Sequence, residues 1–302
     1  MVSQSSESHQ QRRGRPELER RAAVPLQPSR APWDGKIAPA ADAATVILVR
    51  DRPTVSGAGG LEVYLVQRHE ELEVAGGRYV FPGGKVDPAD RDLFLTSRCD
   101  GLSEEDAAAA FGAQPGETPG LGLWVAAIRE LFEEAGLLLA YDAGGAFVES
   151  HAPRYQEYAA LLRQRALSFR DIVSGANLTL AARRLHAFAH WITPVWVPRR
   201  FSARFFVAVL PPGQEPRHDQ GEAVDGAWLT PQEALAKIGE GSMLAMLATQ
   251  RNLQQVGQSR SVAEILAATK QRRIAPIMPR RLEVDGVRRF VIPGEPGYED
   301  GE

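Results

Sequence analysis

Arg129 to Leu137 reads Arg-Glu-Leu-Phe-Glu-Glu-Ala-Gly-Leu, and its three acids are spaced for chemistry rather than for helix stability. Glu130, Glu133 and Glu134 stand at i, i+3 and i+4, so on a helix their carboxylates share one face. Each like-charged pair at that spacing costs roughly 0.2–0.5 kcal/mol. Gly136 falls where the helix should end in a left-handed residue, which glycine adopts without strain. The acids therefore crowd the negative end of the helix dipole, a further penalty of roughly 0.3–1 kcal/mol each. A bound cation reverses the sign of all these terms. With oxygen donors alone and no His or Cys cluster beside them, the ion indicated is a hard one, Mg2+ or Mn2+. A solvated acidic helix face is the competing account of the same nine residues.

Upstream, Phe81-Pro82-Gly83-Gly84-Lys85-Val86-Asp87 follows the apolar, alternating run Leu61 to Val66, so a strand leads into a glycine-rich loop. Paired glycines let a backbone approach a ligand closely, although alone they mark a plain turn more often than a site. Taken with the downstream Arg-Glu-x-x-Glu-Glu-x-Gly, the loop resembles the Nudix box of the Nudix hydrolases. That box is a loop–helix–loop unit that binds divalent metal and cleaves diphosphates. Its second half matches at every defined position from Arg129 through Leu137. The first half departs. The family's first glutamate falls on Asp90, and 38 residues, Arg91 to Ile128, stand where the family usually has seven. Ser103 to Phe111 in that segment predicts a helix with a Ser cap and an acidic first turn, and Gln114 to Gly120 a loop. The segment, about 91–121, is read as a surface insertion, since long loops cost little extra closure entropy. An equivalent insertion after Phe-Pro-Gly-Gly-x-x-Asp-x-x-Asp occurs in the branch resembling eukaryotic peroxisomal acyl-coenzyme A diphosphatases. Trp191-Ile192-Thr193-Pro194 and Arg200 to Ala208 extend that likeness, which covers roughly Ala43 to Gly239.

The resemblance implies that Glu134, Glu133 and Glu130 hold the metal, with the Gly84 backbone as a further ligand and Gly83 facing the substrate. Glu130 instead, or also, orients or deprotonates the attacking water. Arg129 holds a carboxylate through a bidentate pair. The base moves among Nudix subfamilies, and Glu222, before the strand ending at Trp228, is a second candidate. The implied substrate is coenzyme A or an acyl-coenzyme A, cleaved to adenosine 3′,5′-bisphosphate and a phosphopantetheine product. A nucleotide sugar or dinucleotide is the second enzymatic reading. A binding or regulatory module that has lost catalysis is the third, kept open by Asp90. Coenzyme A carries a 3′-phosphate beside its diphosphate, so Arg200 and Arg204 are the expected phosphate contacts. His186 and His190, four residues apart among apolar neighbours, suit packing better than metal.

The whole chain is 302 residues with net charge −3, 44% apolar and 24% charged, ordinary for a globular protein and without a nucleic-acid footprint. The lone Cys99 excludes an internal disulfide, and no run approaches a membrane span. A small diphosphate is therefore the expected partner, without nucleic acid or membrane, and a homodimer is compatible with these numbers. The Ser-, Gln-, Arg- and Pro-rich residues 1–36 read as a disordered tail without a secretory core. The final Glu299-Asp300-Gly301-Glu302 is not a peroxisomal address, so the cytoplasm is the expected compartment. Residues 37–302 are read as one domain, an α/β/α sandwich around a mixed sheet. Paired strands are expected over Thr45–Arg50 and Leu61–Val66, and the box helix over Leu123–Ala135. A helical segment follows over about 155–185, interrupted near Ser174–Asn177. Strands over Ala187–Trp196, Phe201–Leu210 and Ala223–Leu229 come next, then a helix capped by Thr230-Pro231. The Pro-rich stretch that closes a C-terminal extension (about 260–302) should wrap the domain, with one strand over Arg288–Ile292.

Overall fold

The computed structural model describes residues 37–53, 59–72, 74–217, 223–284 and 286–301, so the expected tail, residues 1–36, lies outside it. Ala41–Asp51 (β1) and Leu61–Arg68 (β2) pair antiparallel, followed by the short strands Tyr79–Val80 (β3) and Gly83–Lys85 (β4). Two short helices, Leu93–Ser97 (α1) and Glu104–Ala109 (α2), precede the long helix Gly122–Ala135 (α3). Ala140–Tyr141 (β5), Pro153–Arg163 (α4), Phe169–Gly175 (α5) and Thr179–Leu180 (β6) come next. His186–Ile192 (β7), Phe201–Val209 (β8) and Ala223–Leu229 (β9) return to the main sheet. Three helices follow, Pro231–Gly239 (α6), Leu247–Val256 (α7) and Val262–Lys270 (α8), and the strands Pro276–Ile277 (β10), Arg280–Val284 (β11) and Val287–Val291 (β12) end the chain.

The main sheet runs β10-β7-β8-β1-β2-β3, with β4 also on β1 and β9 also on β2. Strand β1 lies parallel to β8 and antiparallel to β2 and β4, which makes the sheet mixed as expected. Side chains alternate across β1. Ala44, Val46 and Leu48 join the core under α3, whereas Ile47 and Val49 join a second core with Ala234, Leu253 and Ile265 of α6, α7 and α8. Helices on both faces of the sheet give the expected three layers. Among the described residues, no helix is long and apolar enough to cross a membrane.

Helix α3 buries Ala127, Ile128, Leu131, Phe132 and Ala135, the apolar stripe its spacing predicts. Leu123, Trp124, Val125 and Ala126 are buried as well, so its first turns are enclosed on every side. Most of the expected surface insertion, 91–121, is exposed or half-buried, but part of it also covers those turns. Phe111 from this segment is 5% exposed and packs edge-on to Trp124 at 5.9 Å and Phe206 at 5.3 Å. Glu104 reaches further and accepts a hydrogen bond from Leu121 N–H at 3.0 Å, at the start of α3, which has no cap of its own. An all-round apolar helix needs a lid, and the insertion is that lid. Ser103 caps α2 by accepting from Asp106 N–H, as expected.

Two other expectations change. The helical segment from Tyr155 breaks first after Arg163, where Arg165 takes φ +56°, and ends in strand β6 and a 3-10 turn rather than in helix. The C-terminal extension contains all of α8, and β10 adds to the sheet edge beside β7. Its expected strand is β12, paired in a hairpin with β11. Thr230 caps α6 in a capping box with Glu233, whose carboxylate also receives Arg52 at 2.7 Å.

Candidate active site

Two backbone features bring the site together. Strand β4 hangs on the β1 edge, with Gly84 opposite Ala44 and Gly83 opposite Thr45, on the stretch of β1 under α3. Helix α3 ends at Gly136, which takes φ +62° and donates its N–H to Phe132 O. The predicted left-handed stop is thus in place, and the acids of the last turns face the β4 loop.

Gly84 lies so close to Glu130 that a Cβ there would meet its carboxylate oxygens and Cδ at 2.5–2.6 Å. Only glycine lets the loop backbone approach this far. Glu134 Oε2 accepts from Gly83 N–H at 2.8 Å, and its Oε1 receives Arg68 Nη1 at 3.3 Å. Arg68 is at the end of β2 and was not anticipated from sequence. A lone arginine at a strand end carries no local pattern that could have singled it out.

Arg129 organises the other side. Its Nε and Nη2 hold Asp90 as a two-pronged fork, both at 2.8 Å. Nη1 binds Glu130 Oε1 at 2.8 Å and Glu133 Oε1 at 3.0 Å, and Nη2 also donates to Lys85 O at 2.9 Å. A guanidinium has five N–H groups, and all five of these are used. Asp90 is 1% exposed and also accepts from Asp87 N–H, closing a capping box over Pro88–Arg91. The shorter acid in the family's first glutamate position is therefore a clamp on Arg129. The long insertion leaves from Asp90 and returns to it, so the two halves of the box meet as they would without it.

Burial raises the Glu130 pKa most, to about 7; Arg129 opposes the shift, and Glu133 and Asp90 add to it. Burial works against the charged form of Arg129, but the hydrogen bonds to Asp90 and the charges of Glu130, Asp90 and Glu133 outweigh it and raise that pKa. Among the contacts between described residues, four carboxylates (Asp90, Glu130, Glu133 and Glu134) meet two guanidiniums, Arg129 and Arg68. A surplus of negative charge with oxygen donors only suits a hard divalent cation. As placed, no three acidic, His or Cys side chains among the described residues converge tightly enough to hold an ion. The donors fit the ion in kind, and their present partners include Arg129, Arg68 and the Gly83 N–H.

The structure does not bring Arg200 and Arg204 into this group. Arg200 donates to Thr193 O at 3.0 Å and Ala38 O at 2.7 Å. Arg204 is 6% exposed and pairs with Asp42 inside the sheet face. Both are engaged within the fold, away from the box carboxylates, and not in the group where they were expected to read substrate phosphate. His190 is buried, with Nε2 2.8 Å from Ser202 Oγ, and burial, then Arg204, pushes its pKa down to about 4. A packing role was expected for it. Glu222 lies outside the described residues.

Comparison with known proteins is consistent with this geometry. The model of the NUDT19 Nudix domain family matches residues 40–245. Human acyl-coenzyme A diphosphatase NUDT19 is 29% identical over 209 residues, which is 59% of this chain and 55% of that protein. The chain thus spans about half the length of that curated relative. The crystal structure of a Nudix hydrolase from Alicyclobacillus acidocaldarius aligns with a TM-score of 0.64 at 25% identity, covering 80% of this chain and 100% of that one.

Proposed function

From its place in the Nudix hydrolase family, to which this chain belongs in the NUDT19 branch, we propose that it is a metal-dependent diphosphatase of coenzyme A or acyl-coenzyme A. The observation that supports the chemistry is the packing of Glu130 against Gly84, with Arg129 holding Glu130 and Glu133 and with Glu134 on the Gly83 N–H. The named activity of the human relative supports the substrate. Glu130, Glu133 and Glu134 are the metal ligands in this reading, with the Gly84 backbone beside them. When bound, Mg2+ or Mn2+ neutralises phosphoryl oxygens and lowers the pKa of water. Glu130 takes the proton of the attacking water, a role its place beside the Gly84 backbone and Arg129 allows. Gly83 faces the substrate. Arg129 touches no substrate and acts by fixing the carboxylates. Water adds to one phosphorus, the bridging P–O bond breaks, and two phosphate monoesters leave: adenosine 3′,5′-bisphosphate and (acyl-)4′-phosphopantetheine.

The test is a panel of coenzyme A, acyl-coenzyme A esters, nucleotide sugars and dinucleotides, each incubated with Mg2+ or Mn2+ and the products weighed. Coenzyme A species cleaved at the diphosphate, with loss of turnover in excess chelator, are expected. Preference for a nucleotide sugar replaces the substrate and keeps the chemistry. Turnover that persists in chelator refutes the metal.

A further inference from the structure

We infer that the open cleft beside the first turns of α3 is a second ligand site, built for a phosphate monoester with a compact organic body, a nucleoside monophosphate in its chemistry. The cleft has a volume of about 520 Å³, in the range that takes a small organic ligand. Four separate stretches of chain wall it: the insertion around α2, Trp124 of α3, the 3-10 turn leading into β7, and the end of α8 with the residues after it. Trp124 stands six to ten residues before the acids at Glu130 to Glu134, about 9–15 Å along the helix, so the cleft is separate from the box.

Its charge is one-sided. Arg183, Lys270 and Arg272 line it with the single acid Asp106, and none of the three charged groups meets a carboxylate among the described residues. Arg183 is anchored, with Nε donating to Gly101 O at 2.8 Å. Arg272 is half-buried, lies 4.4 Å over the Phe188 ring and gives one Nη2 bond to Gln255. Its Nε and Nη1 have no acceptor among the described residues. Burial lowers its pKa, as it does for a cation taken from water without a counter-charge. Lys270, the last residue of α8, is exposed. Burial, then Lys270 and Arg184, push the His186 pKa down, so a neutral imidazole stands in this positive field with a donor and an acceptor to offer. A phosphate monoester brings nearly two negative charges and three acceptor oxygens at pH 7, which match several donors on different elements.

The rest of the wall is apolar, with Leu102, Leu185 and Ile274, and gives the organic body a surface. Trp124 is 2% exposed and adds an indole N–H that is buried with no partner among the described residues, a group that native proteins rarely leave unmatched. A nucleobase carries ring-nitrogen acceptors for such a donor, and an alkyl chain has none. The sheet leaves room here as well. Strand β10 pairs with β7 at His190 and Trp191, past the residues His186 and Ala187 that border the cleft.

The experiment uses the full chain, isotope-labelled at the indole nitrogens of its five tryptophans, in excess chelator. The Trp124 signal is identified by its absence from Trp124→Phe. Adenosine 5′-monophosphate is the probe, and it has no diphosphate to cleave, so the outcome is independent of the diphosphatase reading. Adenosine supplies the body alone, inorganic phosphate the head alone, and hexanoate a carboxylate head. We expect adenosine 5′-monophosphate to shift the Trp124 signal saturably, with the other three compounds at least about tenfold weaker and with Lys270→Glu and Arg272→Gln each weakening the nucleotide at least about tenfold. A Trp124 signal that does not move overturns the site, as does wild-type affinity in Lys270→Glu. Inorganic phosphate binding as tightly as the nucleotide overturns the organic body, and hexanoate binding as tightly overturns the phosphate. Lys270 is exposed, so Lys270→Glu carries the test should Arg272→Gln misfold.

Discussion

Gly84→Ala should separate catalysis from stability. The added Cβ would sit 2.5 Å from Glu130 Oε1 and 2.6 Å from Cδ and Oε2, where ordinary contact begins near 3.4 Å, so the carboxylate must withdraw by about 0.9 Å. Every atom in the way is the far end of one flexible side chain, and Gly84 is not among the positive-φ residues, so the backbone can stay. Alanine also removes freedom from the unfolded chain, a gain of roughly 0.4–1 kcal/mol. Stability should therefore change by less than about 1 kcal/mol. The reaction is less forgiving, since a displacement near 1 Å costs about 100-fold, or about 2.7 kcal/mol in the barrier. The assay is kcat at saturating metal and substrate beside a urea midpoint. As a control, Gly84→Ala combined with Glu130→Gln should be no slower than Glu130→Gln alone, because both act through one carboxylate. A kcat within threefold of wild type in a stably folded Gly84→Ala protein would refute the argument. The neighbouring Gly83→Ala should behave oppositely, because its Cβ would strike backbone atoms of Ala44 and Thr45 and break the β1–β4 pairing.

Asp90→Asn takes one of three charge partners from the buried Arg129, which keeps Glu130 and Glu133, so it should cost about 1–3 kcal/mol in urea unfolding and lower kcat as the fork loosens. A loss under about 1 kcal/mol would show that this pair does not close the box. Glu130 makes the metal-free protein sensitive to pH. Its folded pKa of about 7 is above the ordinary 4.5, so the folded state holds the proton more tightly than the unfolded one. Its penalty is absent below about pH 4.5 and complete above about pH 7, reaching at most about 3 kcal/mol. Glu130→Gln has no charge to lose, so the stability of wild type relative to this variant should fall as pH rises through that window. A difference flat with pH would remove burial as the cause.

The box helix was legible because its signals are local. Acid spacing, apolar stripe and Gly136 stop are all contained between Leu123 and Leu137, and the structure bears out each. Gly83 and Gly84 were recognisable as a close-approach pair, although the group they approach could be seen only in three dimensions. The layers of the sheet followed from alternation along β1 and β2. What failed was long-range. Composition makes residues 91–121 look solvated, yet Phe111 is committed to a core built from Trp124 and Phe206, far along the chain. Arg200 and Arg204 carry the right chemistry for phosphate, but their partners, Ala38 and Asp42, belong to the start of β1 and the residues before it. Arg68 was missed for the same reason, since its partner Glu134 is on another element.

The parallel pairing of β1 with β8 also sets an order of assembly. Ala41 waits for Phe201 and Val49 for Val209, so one edge of the central strand stays unpaired until just over two-thirds of these 302 residues have been made. By then the carboxylates and glycines of the box have long emerged from the ribosome. Between Ala135 and Val209, synthesis at roughly 5–20 residues per second takes on the order of 4–15 s. During that interval β1 and β2 can form their hairpin with nothing on the far edge of β1. An open strand edge rich in Val, Ile and Leu is a template for the wrong partner. The vulnerable period in the life of this protein is therefore its synthesis, and it ends when β8 reaches the sheet.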